Sequence, residues 1–106
     1  MKEVNFKYVI TGDSSSVSVT FLTNSGEVHG GNSAGSTWVS SEINSLPWNY
    51  DFTVKLSDIC QQAVLYATNN DIGSSITIAI YTDDKLASEM DIAGGSSGSI
   101  SDDFCQ

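Results

Sequence analysis

An alternation of period two constrains this chain more than any other feature. "VNFKYVI" puts Val4, Phe6, Tyr8 and Ile10 on one side of an extended backbone. "SVSVTFL" repeats the pattern with Val17, Val19 and Phe21, "DFTVKL" with Phe52, Val54 and Leu56, and "SITIAIY" with Ile76, Ile78 and Ile80. Neighbouring side chains of a strand point to opposite faces, so this spacing belongs to half-buried antiparallel strands. "QAVLYAT" is apolar on both faces and reads as a central strand, whereas "ASEMDIA" and "SGSISDDF" are weaker and read as sheet edges. Between these runs lie "TGDSS", "TNSGE", "NNDIGSS", "TDDK" and "AGGSSG", whose residues tolerate positive φ or cap turns with side-chain oxygens. "YTDDKL" predicts a two-residue hairpin loop with Asp83 and Asp84 at its tip, although Asp-Asp is a poorer choice there than Asp-Gly.

Eight strands are expected, near residues 3–11, 16–24, 36–43, 49–56, 62–69, 74–82, 86–92 and 97–104. The best helical candidate, "LSDICQQAVLYA", is rich in β-formers in its second half, so the expectation is a loop or short turn over 57–61 and then a strand. The fold class that follows is all-β: an immunoglobulin-like antiparallel β-sandwich of about seven to eight strands, in one domain spanning 1–106.

The only proline, Pro47, stands beside Trp48 at the start of one of these strands, in "NSLPWNYDFTVKL". Proline fixes φ and cannot donate to a ladder, so it belongs at a strand's beginning or edge. The pair reads as a structural corner that turns the Trp48 indole inward. A second reading takes Trp38, Trp48 and Tyr50 as a ligand-binding platform, a flat row of rings able to stack on sugars. Core packing of at least two of the three is the favoured expectation.

Thirteen acidic residues stand against four lysines and no arginine, a net charge of -9. Such a surface repels phosphate backbones and anionic lipid head groups, so nucleic acid is excluded as a partner. No apolar run approaches the roughly 20 residues of a membrane span. No secretory signal is visible, and the opening "MKEVNF" is read as following a removed leader or anchor. Cys60 and Cys105 match no zinc spacing, and a single histidine cannot complete such a site. They are either two separate thiols or one disulfide. The Ser, Thr, Asn and Gly richness points to an extracytoplasmic chain, and hence to the disulfide.

The order "KYVITG", "VSVTFLTNSGE", "LPWNYDFTV", "AVLYATNN", "SSITIAIYTDDKL" and "GGSSGSIS" resembles the small β-sandwich domain of bacterial lipoproteins similar to the mycobacterial membrane protein small (MmpS) family. The resemblance runs from about Val4 to Ser101. Asp84 departs from the family's turn glycine, and "HGGNSAGSTWVSSEI" is a longer insert than the simplest members carry. The resemblance implies a sandwich outside the cytoplasm, in the periplasm or at the cell surface and usually tethered to a membrane. It implies no catalytic or ligand motif that maps onto these positions.

Catalytic chemistry finds little support. His29, in the glycine-rich "GEVHGGNS", reads as a residue of a solvated loop, and Ser33 and Ser36 fit no nucleophile elbow. "GEVHGGNSAG" lacks the lysine of a phosphate loop. The adjacent pairs Asp83/Asp84 and Asp102/Asp103 point apart and cannot flank a glycosidic bond. A shared calcium site would need the loops "TNNDIGSS" and "TDDK" to meet at one end of the sandwich. The expected role is therefore non-enzymatic, without cofactor or metal. The chain is expected to be an interaction or accessory module of a bacterial lipoprotein or secreted protein, with an envelope protein or a glycan as partner. The alternative is a carbohydrate-binding module using exposed aromatics.

Overall fold

The computed structural model describes residues 2–24, 26–29, 36–57 and 60–105. They form β1 (Lys2–Gly12), β2 (Val17–Thr23), β3 (Gly26–His29), β4 (Thr37–Ile43), β5 (Trp48–Ser57), β6 (Cys60–Asn69), β7 (Ser75–Thr82), β8 (Lys85–Ala93) and β9 (Ser97–Cys105). The all-β class is as expected, and no helix occurs among the described residues. One sheet has the order β3-β5-β1-β7-β8 and the other β4-β2-β6-β9. The molecule has the two-sheet layering of immunoglobulin-like sandwiches, with a strand order of its own.

Each of the eight expected strands is present, and β3 is additional. Its four residues pair parallel with β5, Gly26 opposite Val54 and His29 opposite Ser57. Every other pairing is antiparallel. A four-residue run in a glycine-rich insert is too short to show a period, so nothing in the sequence separates it from a loop. The weak runs at 86–92 and 97–104 are indeed the edge strands β8 and β9, and "QAVLYAT" lies in β6 between β2 and β9.

The alternation becomes the core. Val4, Phe6, Tyr8 and Ile10 are fully buried, as are Val17, Val54, Leu65, Ile78 and Ile80. Strand register extends one face to the next: Phe6 opposes Phe52, Tyr8 opposes Tyr50 and Ile10 opposes Trp48. In the other sheet Phe21 opposes both Val39 and Leu65. The Phe6 and Phe52 rings stack at 5.3 Å, and Phe21 meets Tyr8 across the sheets at 5.5 Å. Burying each such aliphatic or aromatic side chain stabilises by about 1.5–3 kcal/mol.

Tyr8 adds a polar bond to this apolar layer. Its hydroxyl donates to the Leu22 carbonyl on β2 and accepts from the Val64 N–H on β6 at 3.1 Å. The β2–β6 ladder ends at Phe21 opposite Leu65, so both backbone groups lie just past its last pair. A phenol from the facing sheet thus satisfies a donor and an acceptor that would otherwise be buried unpaired. Burial drives the Tyr8 pKa well above its ordinary value. The Val64 hydrogen bond opposes that rise, and the nearby Tyr50 adds to it.

The β7–β8 hairpin has the expected two-residue loop. Asp83 and Asp84 have φ of 49° and 66°, the left-handed pair that a type I′ turn requires. Asp83 is docked on β1: its N–H donates to the Asn5 carbonyl at 2.8 Å, and its Oδ1 accepts from the Asn5 N–H at 3.0 Å. Among the described residues no side-chain bond of this kind holds Asp84, so what it brings to the turn is its conformation.

Tyr8→Phe keeps the ring but leaves the Leu22 carbonyl and the Val64 N–H without their partner, at a cost of about 2–4 kcal/mol by urea denaturation. The raised pKa means that the fold binds the neutral phenol. That stability is whole below about pH 10 and is lost as pH rises beyond it. The urea midpoint of the wild-type chain should fall above that pH more steeply than that of Tyr8→Phe. Asp84→Gly should raise stability by about 0.5–1 kcal/mol, because glycine holds the left-handed conformation without a Cβ penalty. An unchanged or lower midpoint would show that the Asp84 side chain has a role beyond its φ.

Candidate functional site

The three aromatics singled out in the sequence occupy two different surfaces. Trp48 and Tyr50 open β5 on its inward face, half-buried. Phe21 lies 5.6 Å from the Trp48 ring and 4.6 Å from the Tyr50 ring. The Tyr50 hydroxyl is 3.0 Å from Thr23 Oγ1 on the facing sheet. Pro47 is exposed and follows a cis peptide bond from Leu46, at the point where the chain leaves β4 in one sheet for β5 in the other. Pro47 and Trp48 thus sit at a crossing between layers. Trp38 lies on the opposite side of the four-stranded sheet and is 52% exposed. A single row of Trp38, Trp48 and Tyr50 is therefore not formed.

Trp38 has a different neighbour, Tyr66 of β6, which is 49% exposed. Their ring centroids are 5.8 Å apart at an interplanar angle of 46°. The register explains how they meet. Trp38 opposes Leu22 and Tyr66 opposes Thr20, so each ring leans across β2 from a different flanking strand. Leu22 points outward between them yet is only 5% exposed. The pair closes over a small apolar spot on an otherwise polar face. Sequence reading missed Tyr66 because "QAVLYAT" is apolar on both faces. No local signal could have found it: only the pairing of β6 with β2 and β9 puts Ala63, Leu65 and Ala67 in the core and so leaves Tyr66 outside.

Most of the rest of this outer face is hydroxyl. Ser18 and Thr20 come from β2, Ser40 from β4, Thr68 from β6, and Ser97, Ser99 and Ser101 from β9. Several pair across strands: Thr20 Oγ1 with Ser40 Oγ at 2.9 Å, Thr68 Oγ1 with Ser97 Oγ at 2.8 Å, and Ser18 Oγ donating to Glu42 Oε1 at 2.8 Å. Two hollows lie on this face, one of them beside Tyr66. One, of about 400 Å³, is lined by Ser18, Thr20, Ser40 and Glu42. The other, of about 490 Å³, runs from Gln62 and Tyr66 past Ser99 and Ser101 to Ser88, Glu89 and Met90 on β8. The face carries Glu42 and Asp103 and no cation, because all four lysines lie in β1, β5 and β8 of the other sheet.

The remaining sequence candidates are scattered. The β6–β7 loop carrying Asp71 and the turn carrying Asp83 and Asp84 lie at opposite ends of β7, so they cannot share a cation. Asp71 is engaged locally, its Oδ2 accepting from the Ser15 N–H at 2.9 Å and the Ser15 hydroxyl at 3.1 Å. Asp102 accepts from the Thr82 hydroxyl at 2.7 Å, tying β9 to β7. Among the described residues, no group of three or more His, Cys, Asp or Glu side chains is placed to hold a metal. His29 ends β3, and its side chain lies outside the described residues, as does Ser33. The Cys60 and Cys105 side chains also lie outside them, but the backbone register sets Cys60 directly opposite Cys105. Comparison of the chain with protein-family models and with curated proteins gives no match.

Proposed function

We propose that this chain is a non-enzymatic, extracytoplasmic interaction module of a bacterial lipoprotein or secreted protein, and that it binds through the outer face of its four-stranded sheet. The observation that carries the reading is the Trp38–Tyr66 pair, two large rings about half exposed on an ordered sheet face. Rigid aromatic side chains on regular strands present contact area at little cost in conformational freedom, which is why they dominate recognition surfaces. The buried polar side chains among the described residues, Ser14, Asn24, Gln61 and Asn69, are amides and a hydroxyl. Asn69 illustrates their work, accepting from the Asp71 N–H and the Ser74 hydroxyl while its Nδ2 donates to the Ile92 carbonyl. Groups of this kind hold loops; they are not the acids and bases of a reaction centre.

Three further features support the placement outside the cytoplasm. The resemblance to lipoproteins similar to the MmpS family covers most of the chain. The surface is acidic and hydroxyl-rich. And directly opposed residues on antiparallel strands have Cα atoms about 4.5–5.5 Å apart, within the range a disulfide bridges. A Cys60–Cys105 disulfide would close a loop of about 45 residues and stabilise by about 4 kcal/mol on the chain-entropy model.

Both parts of the proposal have direct tests. Protein refolded under oxidising conditions should gain two hydrogens in intact mass on reduction, and its melting temperature should fall. Two freely alkylated thiols in that protein would remove the disulfide. For the face, a photo-crosslinking amino acid placed at position 99, opposite Tyr66 in register, should give adducts in cells that make the protein natively. The same probe at Asp51, on the outer face of the other sheet, should give few. Equal yields at the two positions would show that the four-stranded sheet is not the contact surface.

A further inference from the structure

The geometry points to a neutral polysaccharide as the ligand of the Trp38–Tyr66 face; this inference rests on the proposal that the face is the binding surface. Three observations select that chemistry. The first is the apolar part. A pyranose presents a C–H face that packs on an aromatic ring while its hydroxyls point sideways, and the Trp38 and Tyr66 rings are held at the surface by each other and by Leu22 beneath them.

The second is what surrounds the rings. Protein–protein contact surfaces share an enrichment in aromatic rings but are depleted in serine and enriched in arginine and methionine. This face has seven outward hydroxyl side chains, and the chain contains no arginine at all. Each hydroxyl has one donor and two acceptor positions, so Thr20 and Ser40 keep capacity after bonding each other. The Gln62 side chain adds an amide beside Tyr66 in the second hollow. Dense, flat donor and acceptor capacity around a ring pair is the complement of a sugar chain, not of a protein's apolar anchor.

The third is charge and length. Glu42 and Asp103 with no lysine or arginine disfavour an anionic glycan, a phosphate or an anionic lipid surface. The register row Ser40–Thr20–Tyr66–Ser99 crosses all four strands. At about 4.8 Å per strand it spans roughly 14 Å, the length of about three pyranose rings. One hollow lies along the Ser40–Thr20 end of that row, and the other carries it past Ser99 to Ser88, Glu89 and Met90 on β8, so the face suits several linked sugars over a single one.

Affinity gel electrophoresis of the purified chain in laminarin, xyloglucan and mannan tests this, with alginate as the anionic control. At least one neutral polysaccharide should retard the wild-type protein, and alginate should not. Trp38→Ala and Tyr66→Ala should each weaken the retardation at least tenfold, and Asp51→Ala on the opposite outer face should leave it unchanged. Both aromatics are half exposed, so the variants should keep the wild-type far-ultraviolet spectrum; Trp38→Phe and Tyr66→Phe, which retain a ring, should bind more tightly than the alanine variants. No retardation by any of the three neutral polysaccharides, or retardation indifferent to both alanine variants, overturns the proposal. If that happens while the probe at position 99 still gives selective adducts in cells, the glycan is wrong and the binding face stands. If the adducts are also lost, both readings fall.

Discussion

The Tyr8 hydroxyl is the bond on which the two sheets depend. Apolar packing holds layers together but does not specify how far one slides over the other. A phenol that must reach both the Leu22 carbonyl and the Val64 N–H fixes β1 against β2 and β6 at one position. The hydroxyl is fully buried, so a slip of the layers would leave three polar groups without water or partner. Secondary links act in the same sense nearer the margins: Tyr50 to Thr23, Thr82 to Asp102, and Asn69 to Ile92. The Tyr8 ring also meets Phe21 and Phe52, so the polar link and the aromatic core are set by one side chain.

This registration reaches the outer face. Val64 is adjacent to Leu65 and two residues from Tyr66, and Leu22 is the residue that Trp38 opposes. The backbone groups held by Tyr8 therefore belong to the short stretch that carries the exposed ring pair. A ring that leans across a neighbouring strand needs that strand at a fixed height, and the core tyrosine supplies it from below. The candidate site and the interior are two sides of one local structure, so their stabilities should change together.

Much of the architecture was legible because one face of each strand is buried. Alternation then has to appear, and Val4, Phe6, Tyr8 and Ile10 display it without interruption. The hairpin at Asp83 and Asp84 was legible from loop length, even though its residues are an unusual choice for two positive φ values. The strand β3 was not, because four residues among glycines carry no period, and its partner β5 lies more than twenty residues further on. The site was legible only in half. Trp38 stood out by residue type, but Trp48 and Tyr50 share the parity of Phe52 and Val54 and so pack half-buried against the core. Tyr66 was hidden because β6 is apolar on both sides, and which side is the outside depends on contacts with β2 and β9 that no local pattern encodes. A sheet face assembled from four strands is a property of register, and register is a long-range quantity.

The cross-strand hydroxyl pairs bear on what such a face can recognise. Side chains that are free in solution lose rotamer entropy when a ligand orders them, at about 0.5–1.5 kcal/mol for each rotamer-rich group. Serine and threonine are short, and here Thr20 with Ser40, Ser18 with Glu42, and Thr68 with Ser97 are already ordered by one another. Asn70 extends the Ser18 link, donating to its hydroxyl at 2.9 Å. A ligand of the kind proposed for this face would thus meet polar groups that are mostly fixed and that keep hydrogen-bonding capacity. Each individual bond to a hydroxylated ligand is weak in net terms, because water is displaced from both partners. Weak bonds made without ordering cost, repeated along a track and anchored by two rings, give an interaction that grows with ligand length; recognition on this face is therefore expected to favour polymers over their monomers.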